Sequence, residues 1–130
     1  MRLTNPLELP PLTLAYLGDA LYEAFVRERL LDLGHVRVND LHCHALRYVR
    51  AKAQAGVLAH ILPDLTEREQ DVVRRGRNAK GHAAPKSADA AEYAASTGFE
   101  ALLGYLHLAG EEERLRQILR AAADYVEQNP

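Results

Sequence analysis

Two carboxylates sit in surroundings that do not suit a charge. Asp19 lies in the segment from Leu12 to Leu33, whose apolar residues fall on two sides of a helical wheel. Leu14, Leu17, Leu21 and Phe25 make one side; Leu12, Ala15, Val26 and Leu30 make the other, and Asp19 belongs to this second set. Glu23 follows one turn later. A carboxylate among apolar neighbours is costly unless it is paired, protonated or bound to a cation. Arg27 or a lysine elsewhere would serve as a partner, and so would a metal ion. Glu100 poses the same question within Thr97-Gly98-Phe99-Glu100-Ala101-Leu102-Leu103-Gly104-Tyr105-Leu106. Of its helical neighbours Ser96, Thr97, Leu103 and Gly104, three are small, which leaves room for a second helix, a water or a metal. Two acids on different helices suit Mg²⁺, which takes one or two carboxylates and keeps several waters. Spacing alone does not bring the two together.

Positive charge is concentrated elsewhere. Between Val72 and Ala88 stand Arg74, Arg75, Arg77, Lys80 and Lys86, with His82 and no acid. The whole chain carries −2, so this segment at +5 leaves −7 for the remainder. Arg75 to Ser87, with Gly76, Gly81 and Pro85, reads as a loop. Such a loop either keeps the protein soluble or grips phosphate oxygens, with the glycines allowing close backbone approach. Asn78 adds a side chain suited to sugar or base edges. Arg47, Arg50, Lys52 and Gln54 form a second polar group, part of it a solvated helix face. His42, Cys43 and His44 are spaced poorly for zinc, because neighbours one and two apart do not share a helix face. His107 falls on nearly the same helix face as Glu100, as a neighbour of the acid or an ordinary half-buried histidine.

The elements that must position these groups are helices. Ala, Leu, Arg and Glu dominate and period-2 alternation is missing, so the fold is expected to be all-α. A helix from Leu12 to Leu33 closes at Gly34, and Asn39 or Asp40 caps a second that runs to Ile61 before Pro63. Thr66 and Glu69 form a capping box that opens a third, to about Arg75. A fourth spans Ala88 to Ala109, with Gly98 a candidate break, and a fifth follows Gly110 to about Glu127. The 130 residues suffice for one domain. Hydrophobic residues at 48% and charged ones at 26% exclude a disordered or fibrous chain. A charge of −2 excludes a uniformly basic nucleic-acid binder, although not a local basic patch. A single cysteine, Cys43, cannot close an internal disulfide, and neither a secretory leader nor a membrane-length apolar run is visible. A cytoplasmic protein is the expectation. The two-sided first helix is central to the domain or shared with a second copy.

Taken in order, these segments resemble one family. Leu14-Ala15-Tyr16-Leu17-Gly18-Asp19-Ala20-Leu21-Tyr22-Glu23 resembles the signature helix of the ribonuclease III catalytic domain. Asn39-Asp40-Leu41-His42, Tyr48-Val49-Arg50-Ala51-Lys52-Ala53-Gln54-Ala55, Arg75-Gly76-Arg77-Asn78-Ala79-Lys80 and the run around Glu100 are similar to its Mini-ribonuclease III branch. The resemblance covers about residues 12 to 119. It implies a single ribonuclease III-type domain over residues 1–130, without a separate double-stranded-RNA-binding domain, working as a homodimer with the second apolar face of the first helix as the contact. It implies Asp19 and Glu100 as catalytic Mg²⁺ ligands, an activated water attacking a phosphodiester, and products with 5′-phosphate and 3′-hydroxyl ends. Arg74, Arg75, Arg77, Asn78, Lys80 and Lys86, supported by Lys52 and Gln54, would hold the RNA. The implied substrate is double-stranded RNA at the ends of the 23S ribosomal RNA precursor, with a large-subunit ribosomal protein as a candidate partner. The wider family has two further carboxylates, where this chain has Leu12 and Thr97, a departure shared by the Mini branch. The alternatives are a non-catalytic RNA-binding or ribosome-assembly factor on the same scaffold, and a purely structural helical dimer.

Overall fold

The computed structural model describes residues 5–79 and 89–130. Among these, every regular element is helical: α1 (Pro11–Asp32), α2 (Val38–Val49), α3 (Ala51–Ile61), α4 (Glu67–Arg77), α5 (Ala90–Leu108) and α6 (Glu112–Gln128), with short 3₁₀ turns at Pro6–Glu8 and Leu62–Asp64. None is long and apolar enough to cross a membrane.

α5 is the axis of the molecule, because its residues face neighbours on every side. Phe99, Ala101, Leu102, Leu103 and Leu106 are fully buried, and α1, α3 and α4 pack around them. Tyr22 of α1 meets Phe99 edge-on at 5.2 Å between ring centres, a favoured aromatic geometry. Two glycines let α1 and α5 approach further than side chains allow. A Cβ on Gly18 would overlap the Glu100 carbonyl, and one on Gly104 would overlap the Leu14 carbonyl. Since 18 faces 100 and 14 faces 104, the two helices run antiparallel at backbone contact distance. A similar approach joins α4 to α5, where a Cβ on Gly76 would lie 2.8 Å from Gly98 Cα.

Caps at the helix ends account for several boundaries. Thr66 Oγ1 accepts from the Glu69 amide while Glu69 returns a carboxylate to the Thr66 amide, so the expected capping box opens α4. Glu69 is buried and bidentate to Arg114 of α6 at 2.9 Å, which ties those helices together and holds its carboxyl below the usual range against the opposing effect of burial. Gly34 and Gly110 adopt φ of 97° and 76°, the left-handed conformation expected at a helix end.

Several expectations are corrected. The segment 39–61 is two helices, not one, because Arg50 leaves the helical region (ψ 148°) and serves as the C-cap of α2 and the N-cap of α3. α2 also starts earlier, after Arg37, so neither Asn39 nor Asp40 is its cap. α4 continues to Arg77, so Arg75, Gly76 and Arg77 are helical, and Gly76 is used in packing against Gly98. α5 passes Gly98 unbroken, since the glycine is needed there for that close contact. Finally, Ala15, Val26 and Leu30 are buried within the chain itself and offer nothing to a second copy. The buried stripe of α1 runs Leu14, Gly18, Tyr22, Val26, Leu30, drifting around the helix as it crosses α5. Leu17 and Leu21 are left half-buried, and Tyr16 and Leu31 are exposed.

Candidate active site

The antiparallel α1–α5 crossing decides where the acids meet. Gly18 rests on the backbone of Glu100, so the next residue of α1, Asp19, stands beside the Glu100 side chain. Asp19 is exposed and Glu100 half-buried. The Glu100 carboxyl is pushed up to about 8, first by burial and next by the negative charge of Asp19, with which it also shares a hydrogen bond. Glu23 adds a weaker repulsion from one turn further along α1, although it pairs with Arg27 at 3.7 Å. The opposing influence is a hydrogen bond from Gln54, whose Nε2 donates to Glu100 Oε2 at 3.2 Å and to the Val49 carbonyl at 2.9 Å. Tyr93 also feels both acids, since its hydroxyl is raised by burial, Glu100 and Asp19 in turn.

Neither Asp19 nor Glu100 has a Lys or Arg partner among the described residues. Two carboxylates forced together without a cation are the donor set of a hard divalent ion, and the residues therefore fit Mg²⁺. Asp19 and Glu100 would be its protein ligands. Among the described residues no group of three or more His, Cys, Asp and Glu is placed to chelate an ion, so waters and substrate oxygens would fill the remaining positions. Two buried polar atoms near Glu100, Tyr22 Oη and Gln54 Oε1, have no protein partner, which suits a site that orders water. Thr97, where the wider family has a carboxylate, donates its hydroxyl to the Tyr93 carbonyl at 3.1 Å.

The proposed RNA contacts divide. Arg77 and Asn78 are exposed at the end of α4, and Lys80 and Lys86 lie outside the described residues. Arg74 is exposed and pairs with Asp71. Arg75 is half-buried and donates to the Leu7 carbonyl at 3.3 Å, tethering the N-terminal turn. Lys52 is exposed on α3. Gln54 stands apart from the expected surface contact: it is 2% exposed and turned towards Glu100. In one continuous helix Gln54 would share a face with Arg47 and Arg50, but the break at Arg50 resets the helical phase and turns Gln54 inward. The only signal available in advance was its apolar flank, Ala53, Ala55 and Val57. Gln54→Leu leaves one Glu100 oxygen and the Val49 carbonyl without their donor. We expect Mg²⁺ affinity, measured by calorimetric titration, to weaken about 10- to 100-fold, the usual cost of losing a partner that orients a metal ligand. An unchanged affinity would show that Gln54 does not hold the carboxylate.

The sequence pattern of the ribonuclease III domain matches residues 12–111. With this fold and acid pair, the chain belongs to the ribonuclease III family of endoribonucleases, within its Mini-ribonuclease III branch. It is 79% identical over 127 residues to Mini-ribonuclease 3 of Symbiobacterium thermophilum, covering 98% of each chain. It is 52% identical over 117 residues to Mini-ribonuclease 3 of Brevibacillus brevis, covering 90% of this chain and 87% of the relative. A crystal structure of a Fusobacterium nucleatum protein matches the fold with a TM-score of 0.81 at 30% identity, covering 90% of this chain and 93% of that one.

Proposed function

We propose that this protein is a Mg²⁺-dependent endoribonuclease that cuts double-stranded segments of structured RNA. Its substrate in this reading is the 23S ribosomal RNA precursor at its two ends, in the cytoplasm, with a large-subunit ribosomal protein as the partner that presents it. The observation that carries the reading is the pairing of Asp19 with Glu100 across the α1–α5 crossing, with no cation among the described residues to neutralise them.

Asp19 and Glu100 would hold the ion, which when bound supplies charge to activate a water and to stabilise the leaving oxygen. Gln54 fixes the Glu100 carboxylate from behind. Asp19, being exposed, keeps the acid pair open to an incoming phosphate. Arg77, Asn78, Lys80 and Lys86 would hold the duplex through its phosphates, with Lys52 on α3. Arg74 joins them at small cost, because its exposed pair with Asp71 is of the kind that contributes about 0–1 kcal/mol. Helices meet double-stranded RNA through phosphates and 2′-hydroxyls across its minor groove, so sequence selectivity should be modest.

A homodimer would set one acid pair against each strand. The outward stripe of α1, Leu17, Ala20, Leu21, Ala24 and Leu31, has the helical spacing of a contact face and lies beside Asp19. Incubation of labelled duplex RNA with the protein is expected to give strand breaks with 5′-phosphate ends in Mg²⁺ and none in chelator. Retention of intact duplex in Mg²⁺ would overturn the reading in favour of a binding factor. Sedimentation of the RNA-free protein should show two copies; a monomer that cleaves both strands would reject the dimer.

A further inference from the structure

We propose that the cleft where α2 meets α3 is a second phosphate-binding site, which grips the RNA strand next to the acid pair. This rests on the endoribonuclease reading above and adds to it residues outside the basic segment 72–88. The cleft has a volume of about 330 Å³, and Arg47, Arg50 and Lys52 line it opposite Tyr125 and Asn129 of the α6 end. All three cations are exposed, and none has an ion-pair partner among the described residues.

The nearby acids are already taken. Glu127 accepts from Arg29 Nε at 2.9 Å, from the other Arg29 nitrogen at 2.7 Å and from Tyr48 Oη at 2.8 Å. Asp124 is bound by the same Arg29 at 3.2 Å. Arg29 balances one of these two acids, so the three cations leave the open cleft with an excess of positive charge, a field that suits a polyanion. Tyr125 gives the cleft a firm wall: it packs on Gly56, where a Cβ would come within 2.9 Å of its hydroxyl, and it lies 5.1 Å from the His60 ring.

Position selects the ligand. One end of the cleft is Arg50, the residue at which the chain breaks between α2 and α3. The carbonyl of its predecessor, Val49, accepts from the same Gln54 amide that donates to Glu100, so the α2–α3 junction is joined to the acid pair by one side chain. In the proposed path a strand held at Asp19 and Glu100 would pass the N-terminal end of α3 at Arg50 to reach the cleft, which Lys52 and Arg47 also line. The break at Arg50 thus does two things at once: it turns Gln54 inward and leaves Arg50 and Lys52 at the rim.

The test is duplex RNA binding in an Asp19→Asn background, titrated against salt. Combining Arg47→Ala, Arg50→Ala and Lys52→Ala is expected to weaken binding about 10- to 100-fold at about 0.1 M salt, with the slope of log affinity on log salt falling by roughly 0.7–0.9 for each phosphate left without a cation. Arg50→Lys should retain most of the slope. Arg116→Ala with Arg120→Ala, which removes two exposed cations of α6 paired to Glu113, is the matched control and should leave affinity essentially unchanged. A triple variant that melts like the parent and binds with the same affinity and slope would overturn the proposal. If the unmodified protein fails to cut duplex in Mg²⁺, the endoribonuclease reading fails instead, and the binding result still decides the cleft.

Discussion

Glu100→Gln is expected to make the metal-free protein more stable while removing its activity. In an unfolded chain this carboxyl has its ordinary value of 4.5; in the folded protein it lies near 8. Between those values the native state carries the extra proton, so stability falls as pH rises from about 4.5 to about 8, and no further fall from this group follows above that. Glutamine keeps the hydrogen-bonding shape and carries no charge. The variant should therefore melt higher than the parent by a margin that grows through this window. Mg²⁺ should raise the melting temperature of the parent and raise that of the variant much less. Duplex cleavage should fall by about three orders of magnitude or more, and Asp19→Asn should match it. A variant that cuts normally, or melts lower at alkaline pH, would remove Glu100 from the site. Strain of this kind, retained in a fold that would be more stable without it, is the mark of a functional pair.

Gly18→Ala should be the most disruptive glycine-to-alanine change among the described residues. The added Cβ would meet the carbonyl of Glu100, which is main chain within a buried helix and cannot rotate aside. α1 must then lift from α5 and draw Asp19 away from Glu100. Overpacking costs about 1–3 kcal/mol and more where backbone is struck, against a gain of about 1 kcal/mol in helix propensity from alanine. We expect the melting temperature to drop by about 8 °C or more, and cleavage per folded molecule to fall with it as the acids separate. Gly104→Ala, which strikes the Leu14 carbonyl one turn along the same crossing, should destabilise comparably. An unchanged melting temperature and rate in Gly18→Ala would mean that the two backbones are not in contact.

Much of this was legible in the sequence. The helical composition, Gly34 and Gly110 at helix ends, and the Thr66–Glu69 box are local features, and local chemistry produced the elements they announce. The small residues around Glu100 also announced close packing, although not its partner. Helical phase was not legible. A continuous helix over 39–61 puts Gln54 on one face with Arg47 and Arg50, whereas the break at Arg50 leaves those two cations at the surface and turns Gln54 to Glu100. The two-sided pattern on α1 was real, but a crossing helix carries its buried stripe obliquely, so Val26 and Leu30 went to the interior and Leu17 and Leu21 were left half-buried at the surface.

Sequence by itself therefore determined the fold class and the family and singled out two acids as candidates, because each depends on residue types at fixed short spacings. Only the tertiary structure decided that Asp19 and Glu100 stand together, that Gln54 serves Glu100, and that Arg47, Arg50 and Lys52 share a cleft. The physical reason is that each arrangement joins more than one helix. The acid pair is set by where Gly18 and Gly104 let the α1 and α5 backbones touch, a distance that no periodicity within a single helix contains.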